Sequence, residues 1–300
     1  MLRLTNPCLL LFLLAAATAD MATADETAWT ARKVRQLEGF DIPECVLVDT
    51  DNNTAYVSNV AAEAEGEGYE RFWTEDRTGF ISKIDLQSSK VSLNWRSSSR
   101  KFPFSGPKGM CILDGWLYVT DLDRVLRFKL DDNTYAAEVI EVRDAKGLND
   151  MATDGKSAFV TDSGAGKCYR LNPGGEHDEI KAPEGINGIT FHDKKMYGAS
   201  WGLKDIYELD PTGKKPPRAF GLTKHFTTPD GIEVLSDGTF IVSDSEGNQI
   251  VTVSPDEKTV QKIIETAAPA DIGLDKENGL LYVPLFFESR VEIYQLEREK

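Results

Sequence analysis

Thr228–Asp244 reads TPDGIEVLSDGTFIVSD. It opens on a polar residue between Pro229 and Gly231 and runs into an apolar stretch. It turns at Ser236-Asp237-Gly238 and returns through a run rich in β-branched and aromatic residues. Alternation of apolar and polar residues with period two, broken by a tight Asp-Gly turn, is the pattern of two antiparallel strands.

The same shape recurs five more times: IPECVLVDTDNNTAYVSN from Ile42, GPKGMCILDGWLYVTD from Gly106, GLNDMATDGKSAFVTD from Gly147, GINGITFHDKKMYGAS from Gly185, and APADIGLDKENGLLYVP from Ala268. Taking Glu44, Lys108, Asn149, Asn187, Asp230 and Asp271 as the opening polar residues, the spacings are 64, 41, 38, 43 and 41. A period near 41 with about four short strands per unit is that of a propeller blade. Third strands follow as FISKIDL, RVLRFKL, GKCYRLN, KDIYELD, IVTVSPD and RVEIYQL, and outer strands are expected at YAAEVIEV and KTVQKIIE. The chain ends after RVEIYQLE, so the last blade lacks its fourth strand, while a spare strand-like segment, Thr30–Leu37, precedes the first blade. The expected fold is therefore all-β: a six-bladed β-propeller whose ring is closed by an N-terminal strand completing the last blade. One domain spans 28–298.

The first spacing is long because Val60–Gly79, VAAEAEGEGYERFWTEDRTG, is inserted in blade one. The insertion carries six acids together with Tyr69, Phe72 and Trp73. Long insertions in compact folds are lids, binding loops or disordered segments, and both a lid over the tunnel and a solvated acidic loop fit this one.

Arg3 followed by the apolar run Cys8–Ala17 and the small residues Ala17-Thr18-Ala19 reads as a secretory signal over 1–19, with cleavage as late as residue 24. A secreted or periplasmic protein is expected, with no membrane contact once the leader is gone. The formal charge is −15, and removal of 1–19 takes one arginine and no acid, leaving −16. Such a surface repels phosphate backbones and excludes nucleic acid as a partner. A small molecule is the expected partner. Cys45, Cys111 and Cys168 remain after the leader. An odd number fits no complete disulfide framework. Buried free thiols and a Cys45–Cys111 bridge both stay open.

The first strand of a blade runs along the tunnel and the second runs back, so the opening residues and the ends of the second strands share one face. The second strands end at Asn59, Asp121, Asp162, Ser200 and Asp244. Glu44, Asn149, Asn187 and Asp230 come from four blades and offer two carboxylates and two amide oxygens. Hard cations take oxygen ligands, and Ca²⁺ tolerates flexible geometry. His177, His192 and His225 lie away from the ring positions. Turn capping by the same residues is the competing reading, since Asn-Gly and Asp-Gly are ordinary turn dipeptides.

IPECVLVD, GLNDMATDG, GINGITF and TPDGIEVLSDG, one per blade and in order, resemble the blades of the senescence-marker protein, gluconolactonase and luciferin-regenerating-enzyme family. Diisopropylfluorophosphatase and the paraoxonases are more distantly similar. The resemblance covers essentially the whole mature chain. It implies a tunnel Ca²⁺ held by Glu44, Asn149, Asn187 and Asp230, and hydrolysis of lactones or related esters with Asp230 as base or nucleophile. Lys108, Asp271, Asp162, Asp244 and Trp73 are the candidate substrate contacts. The sequence departs from the family pattern at Lys108, a cation in the ring, and at Gly147-Leu148, where sugar lactonases carry an arginine. A non-catalytic propeller that binds a small ligand or a protein is the alternative.

Overall fold

The computed structural model describes residues 28–61, 72–97, 104–131, 137–172 and 176–298. Among them are six four-stranded antiparallel sheets. In blade one the strands are Pro43–Asp49, Thr54–Asn59, Phe80–Asp85 and Val91–Ser97, from the tunnel outward. Blades two to five open on Pro107–Leu113, Leu148–Thr153, Ile186–His192 and Pro229–Val234. The expected outer strands lie at Ala137–Glu141 and Val260–Glu265.

Blade six is assembled from both ends of the chain. Its strands Gly273–Asp275, Leu280–Leu285 and Arg290–Arg298 are completed by Trp29–Glu38. The register sets Leu37 opposite Val291 and Ala31 opposite Leu296. Across this seam Lys33 Nζ donates to Glu292 Oε1 at 2.9 Å and Arg32 Nη2 to Glu297 Oε1 at 3.2 Å. The spare and missing strands of the sequence are therefore one pair, and the ring has no open edge at its closure.

The core is divided among the gaps between blades. Six apolar clusters fill it, one for each neighbouring pair of sheets. Each sheet thus buries both faces, which is why its inner strands are almost uniformly apolar. The division also decides the cysteines. Cys45 packs between blades one and two, Cys111 between two and three, and Cys168 between three and four. All three are buried free thiols, and no Cys45–Cys111 bridge forms because a whole sheet lies between their clusters.

One irregularity repeats in every blade from one to five. In blade one Pro43 pairs with Asn59 but Val46 pairs with Val57, so the inner strand holds one residue too many. The same shift falls at Pro107/Met110, Leu148/Met151, Ile186/Ile189 and Pro229/Ile232. A bulge of this kind re-aims side chains, and here it breaks the alternation at the tunnel wall. It also removes a backbone N–H from the ladder. A hydroxyl on the second strand takes its place: Ser58 accepts from Cys45 N at 3.0 Å, Thr161 from Asp150 N at 2.9 Å, and Ser243 from Gly231 N at 2.8 Å.

Candidate functional site

The bulges send two consecutive residues of each inner strand to the tunnel, in two layers. Glu44, Lys108, Asn149, Asn187 and Asp230 line a cavity of about 420 Å³ at the mouth, together with Trp73. Cys45 and Asp150 line the hollow that opens at the other end. Blades two, four and five place glycine in the lower layer because the next blade passes too close for a side chain. A Cβ at Gly109 would stand 2.3 Å from Asp150 Cα, and one at Gly188 would stand 2.2 Å from Asp230 O.

Blade six differs from the expectation. Pro269 bridges to Leu285 as Pro43 pairs with Asn59, and Asp271 bridges to Cys45. The mouth position of this blade is therefore Ala270, which lines the cavity, and Asp271 belongs to the lower layer. Asp271 is not at the mouth, because the polar residue that was matched to the ring lies one step further along its strand.

Asp162 and Asp244 are also not at the cavity wall. Both are fully buried, and their oxygens are taken by the segment that leads into their own blade and by the residues that follow the second strand. Asp162 Oδ2 accepts from Lys146 N at 3.0 Å and its Oδ1 from Ala165 N at 3.0 Å. Asp244 Oδ1 accepts from Thr228 N at 2.6 Å, and its Oδ2 from Thr227 N at 3.0 Å and Gln249 Nε2 at 3.0 Å. Asp121 and Asn59 do the same in their blades, for Gly106 N at 2.8 Å and Asp41 N at 3.0 Å. Buried backbone donors must be met, and these side chains meet them, which closes them to a ligand.

At the mouth Glu44, Lys108, Asn149 and Asn187 are buried and Asp230 is partly exposed. Asn187 Nδ2 donates to Asp230 Oδ1 at 2.8 Å, and Asn149 Nδ2 donates to Ser163 Oγ at 3.3 Å. With both amide nitrogens engaged, what the asparagines have left to offer is carbonyl oxygen. Asn187 Oδ1 and Glu44 Oε2 are buried and meet no hydrogen-bond partner among the described residues. Burial pushes the Glu44 carboxyl up to about 8, helped by the Asp230 and Asp150 charges and opposed by Lys108. Burial likewise raises Asp230 to about 7, against Lys108 and the Asn187 hydrogen bond. Lys108 is held below the usual amine range by burial, and Glu44 and Asp230 pull it back up. Its Nζ lies 4.5 Å from the centre of the Trp73 ring. Two unpartnered buried oxygens, one on Glu44 and one on Asn187, beside the buried Asp230 carboxyl are costly unless cations meet them. Lys108 supplies one positive charge, and the oxygens of Glu44, Asn149, Asn187 and Asp230 form a donor set that fits Ca²⁺.

Beneath this layer, Cys45, Asp150 and Asp271 bring their ligand atoms within 4.8 Å of one another. This group is not legible in the residue pattern, because nothing in that pattern reveals the bulge. Asp150 is already engaged: its Oδ1 accepts from its neighbour's Met151 N at 2.6 Å, and its Oδ2 accepts from Ile189 N, in blade four, at 2.7 Å. Burial raises both Asp150 and Asp271, Asp150 to about 7, and the Asp150 charge adds to the rise of Asp271. The group ties three blades together below the mouth.

The rim is aromatic. Phe72, from the described end of the insertion, packs edge-on to Phe286 at 4.8 Å, and both line the cavity with Trp73 and Trp201. Residues 62–71 of the insertion lie outside the described residues, and with them most of the segment read as a lid or acidic loop. Trp201 was missed because it sits in a turn whose local sequence carries no signal. The hairpin of blade four brings it beside Asn187, since Ser200 pairs with Ile186 and Trp201 N donates to Gly185 O at 3.0 Å.

The sequence matches no protein-family model and no curated protein. Solved structures do match. Luciferin-regenerating enzyme superposes with a TM-score of 0.65 at 16% identity, over 90% of this chain and 95% of that one. A putative gluconolactonase gives 0.65 at 16% identity, over 90% and 93%. Virginiamycin B lyase from Staphylococcus aureus gives 0.63 at 13% identity, over 89% and 99%. At such identities the likeness is one of fold: the chain is a six-bladed β-propeller similar in structure to luciferin-regenerating enzyme and to a putative gluconolactonase.

Proposed function

We propose that the tunnel mouth is the active site of a calcium-dependent hydrolase acting on lactones or related esters. The observation that carries this reading is the pair of orphaned buried oxygens on Glu44 and Asn187. Glu44, Asn149, Asn187 and Asp230 would hold the ion, which when bound supplies a Lewis acid that polarises a carbonyl and opposes charge developing on its oxygen. Asp230 is the base. Its partly exposed carboxylate takes a proton from water as the oxygen attacks the carbonyl carbon. The ring C–O bond then breaks, and the leaving alkoxide recovers the proton to give the hydroxy acid. Asn187 orients Asp230 through its 2.8 Å hydrogen bond. The bulges hold these groups on four inner strands, which suits a preorganised site. The signal-like run Cys8–Ala17 supports an extracytoplasmic location for this activity.

The test is a screen of lactones, esters and phosphotriesters with and without chelator, followed by Asp230→Asn and Glu44→Gln at saturating calcium. Both variants remove one charge at the ion, but only the first removes the base. Asp230→Asn is expected to lose about 10²–10⁴-fold in kcat, and Glu44→Gln much less. Equal losses would assign the effect to charge at the ion alone. Lys108 favours a second reading: a buried ammonium in the ring partly balances Glu44 and Asp230 without any metal. Complete inactivity across all three substrate classes would select that reading, a non-catalytic propeller that binds a ligand at the same mouth.

A further inference from the structure

We infer that the mouth selects ligands carrying a flat apolar group, seated against Trp73 and Trp201, in preference to polyhydroxylated ones. The inference relies on the hydrolase reading only for the chemistry at the carbonyl end.

The walls carry it. Trp73, Trp201, Phe72 and Phe286 all line the cavity. Both indoles are braced against bare backbone. A Cβ at Gly147 would stand 3.3 Å from Trp73 Cζ3, and one at Gly185 would stand 3.2 Å from Trp201 Cε2. Side chains at those positions would push the rings aside. Fixed aromatic planes lose little entropy on binding and favour flat partners.

Trp201 remains 44% exposed. It also borders a second hollow of about 380 Å³, which shares Ser163 and Gly164 with the mouth. An indole left open between two hollows presents ring surface that nothing in its own blade covers. A cavity of about 420 Å³ falls in the range that accepts a small organic molecule.

A polyol makes the opposite demand, since each hydroxyl needs a partner when it leaves water. Of the polar groups on the cavity wall, which include Lys146, Thr228, Ser245 and Glu246, Ser163, which borders both hollows with Trp201, is already committed. Its Oγ donates to Ile186 O at 2.6 Å and accepts from Asn149 Nδ2.

The experiment compares three six-membered lactones: δ-valerolactone, its phenyl-substituted derivative and glucono-δ-lactone. Each rate is divided by the spontaneous rate in buffer. The phenyl derivative is expected to exceed δ-valerolactone about tenfold in kcat/KM, with glucono-δ-lactone slowest. Trp201→Ala should cut the phenyl preference about fivefold to tenfold, and Trp201→Phe, which keeps an aromatic face, should restore most of it. Calorimetry with 4-phenylcyclohexanone reads binding without turnover, and Trp201→Ala should weaken it by a similar factor. If no lactone is hydrolysed but this binding and its loss are seen, the hydrolase reading falls and the inference stands. If glucono-δ-lactone is preferred, if the phenyl preference survives Trp201→Ala, or if the ketone does not bind, the inference is overturned, whatever the enzyme hydrolyses.

Discussion

Asp244 tests whether the second-strand carboxylates brace the fold or face a ligand. Asp244→Ala removes an acceptor that meets Thr227 N, Thr228 N and Gln249 Nε2. Two of these donors are backbone amides at the entry to blade five, and an amide left without a partner costs about 1–3 kcal/mol. Allowing for partial rescue by water at the entry loop, the substitution should cost roughly 3–5 kcal/mol. That is a large part of the 5–15 kcal/mol typical of a folded domain, and at about 2–4 °C per kcal/mol it lowers Tm by roughly 10 °C. Asp244→Asn should cost about half as much, because blade one already does this work with Asn59. There is also no room beside the carboxylate for a ligand: a Cβ at Gly247 would stand 2.1 Å from Asp244 Oδ2. Thermal and denaturant unfolding followed by circular dichroism, paired with turnover or ligand binding, is the assay. An alanine variant with unchanged Tm and abolished function would refute the reasoning and return Asp244 to the ligand.

Two further outcomes follow from the site. Glu44, Asp230 and Asp150 have folded-state values raised to about 8, 7 and 7 from 4.5, 3.8 and 3.8. The folded chain therefore holds protons that the unfolded chain has lost, so this contribution is complete below about pH 4 and disappears as pH rises to about 8. Tm in chelator should fall across that window, calcium should restore more of it at pH 8 than at pH 5, and a calcium increment independent of pH would refute the ion's place among these groups. Gly188→Ala puts a Cβ 2.2 Å from Asp230 O. It should cost about 1–3 kcal/mol and at least tenfold in turnover, by moving Asp230. Gly155→Ala, in an open turn at φ +82° with nothing within 4 Å, should cost stability by strain alone and leave turnover intact.

The repeat, the blade count and the closing strand were legible because each rests on periodicity, and periodicity survives any local detail. The mouth residues of blades one to five were legible for the same reason, since each opens its repeat at the same point, four of them beside Pro or before Gly and Asn149 two residues after Gly147. Blade six was misplaced by one residue. Its Ala-Asp pair reverses the polar-then-small order found at Lys108-Gly109, Asn187-Gly188 and Asp230-Gly231, so matching polar to polar slid the register. Asp162 and Asp244 were misassigned because strand geometry alone points them at the mouth, whereas the demand of nearby amides arises only when the blade is closed. Phe286 and the Cys45–Asp150–Asp271 group join residues from separate blades, and no spacing along the chain encodes that meeting, whereas Trp201 directly follows Ser200, the second-strand end of its own blade.

The seam in blade six makes the first strand of the chain the last to be placed. Trp29–Glu38 leaves the ribosome before any of its partners, and it stays unpaired until Arg290–Arg298 exists at the far end. For that whole interval it is a sticky edge. Its composition answers the hazard: Arg32, Lys33 and Arg35 put positive charge along a segment of an otherwise strongly acidic chain. Such charges act as gatekeepers against premature pairing. The same charges then serve as an address, because Glu292 and Glu297 wait on the partner strand. Rejection of wrong partners and selection of the right one thus overlap in Arg32 and Lys33.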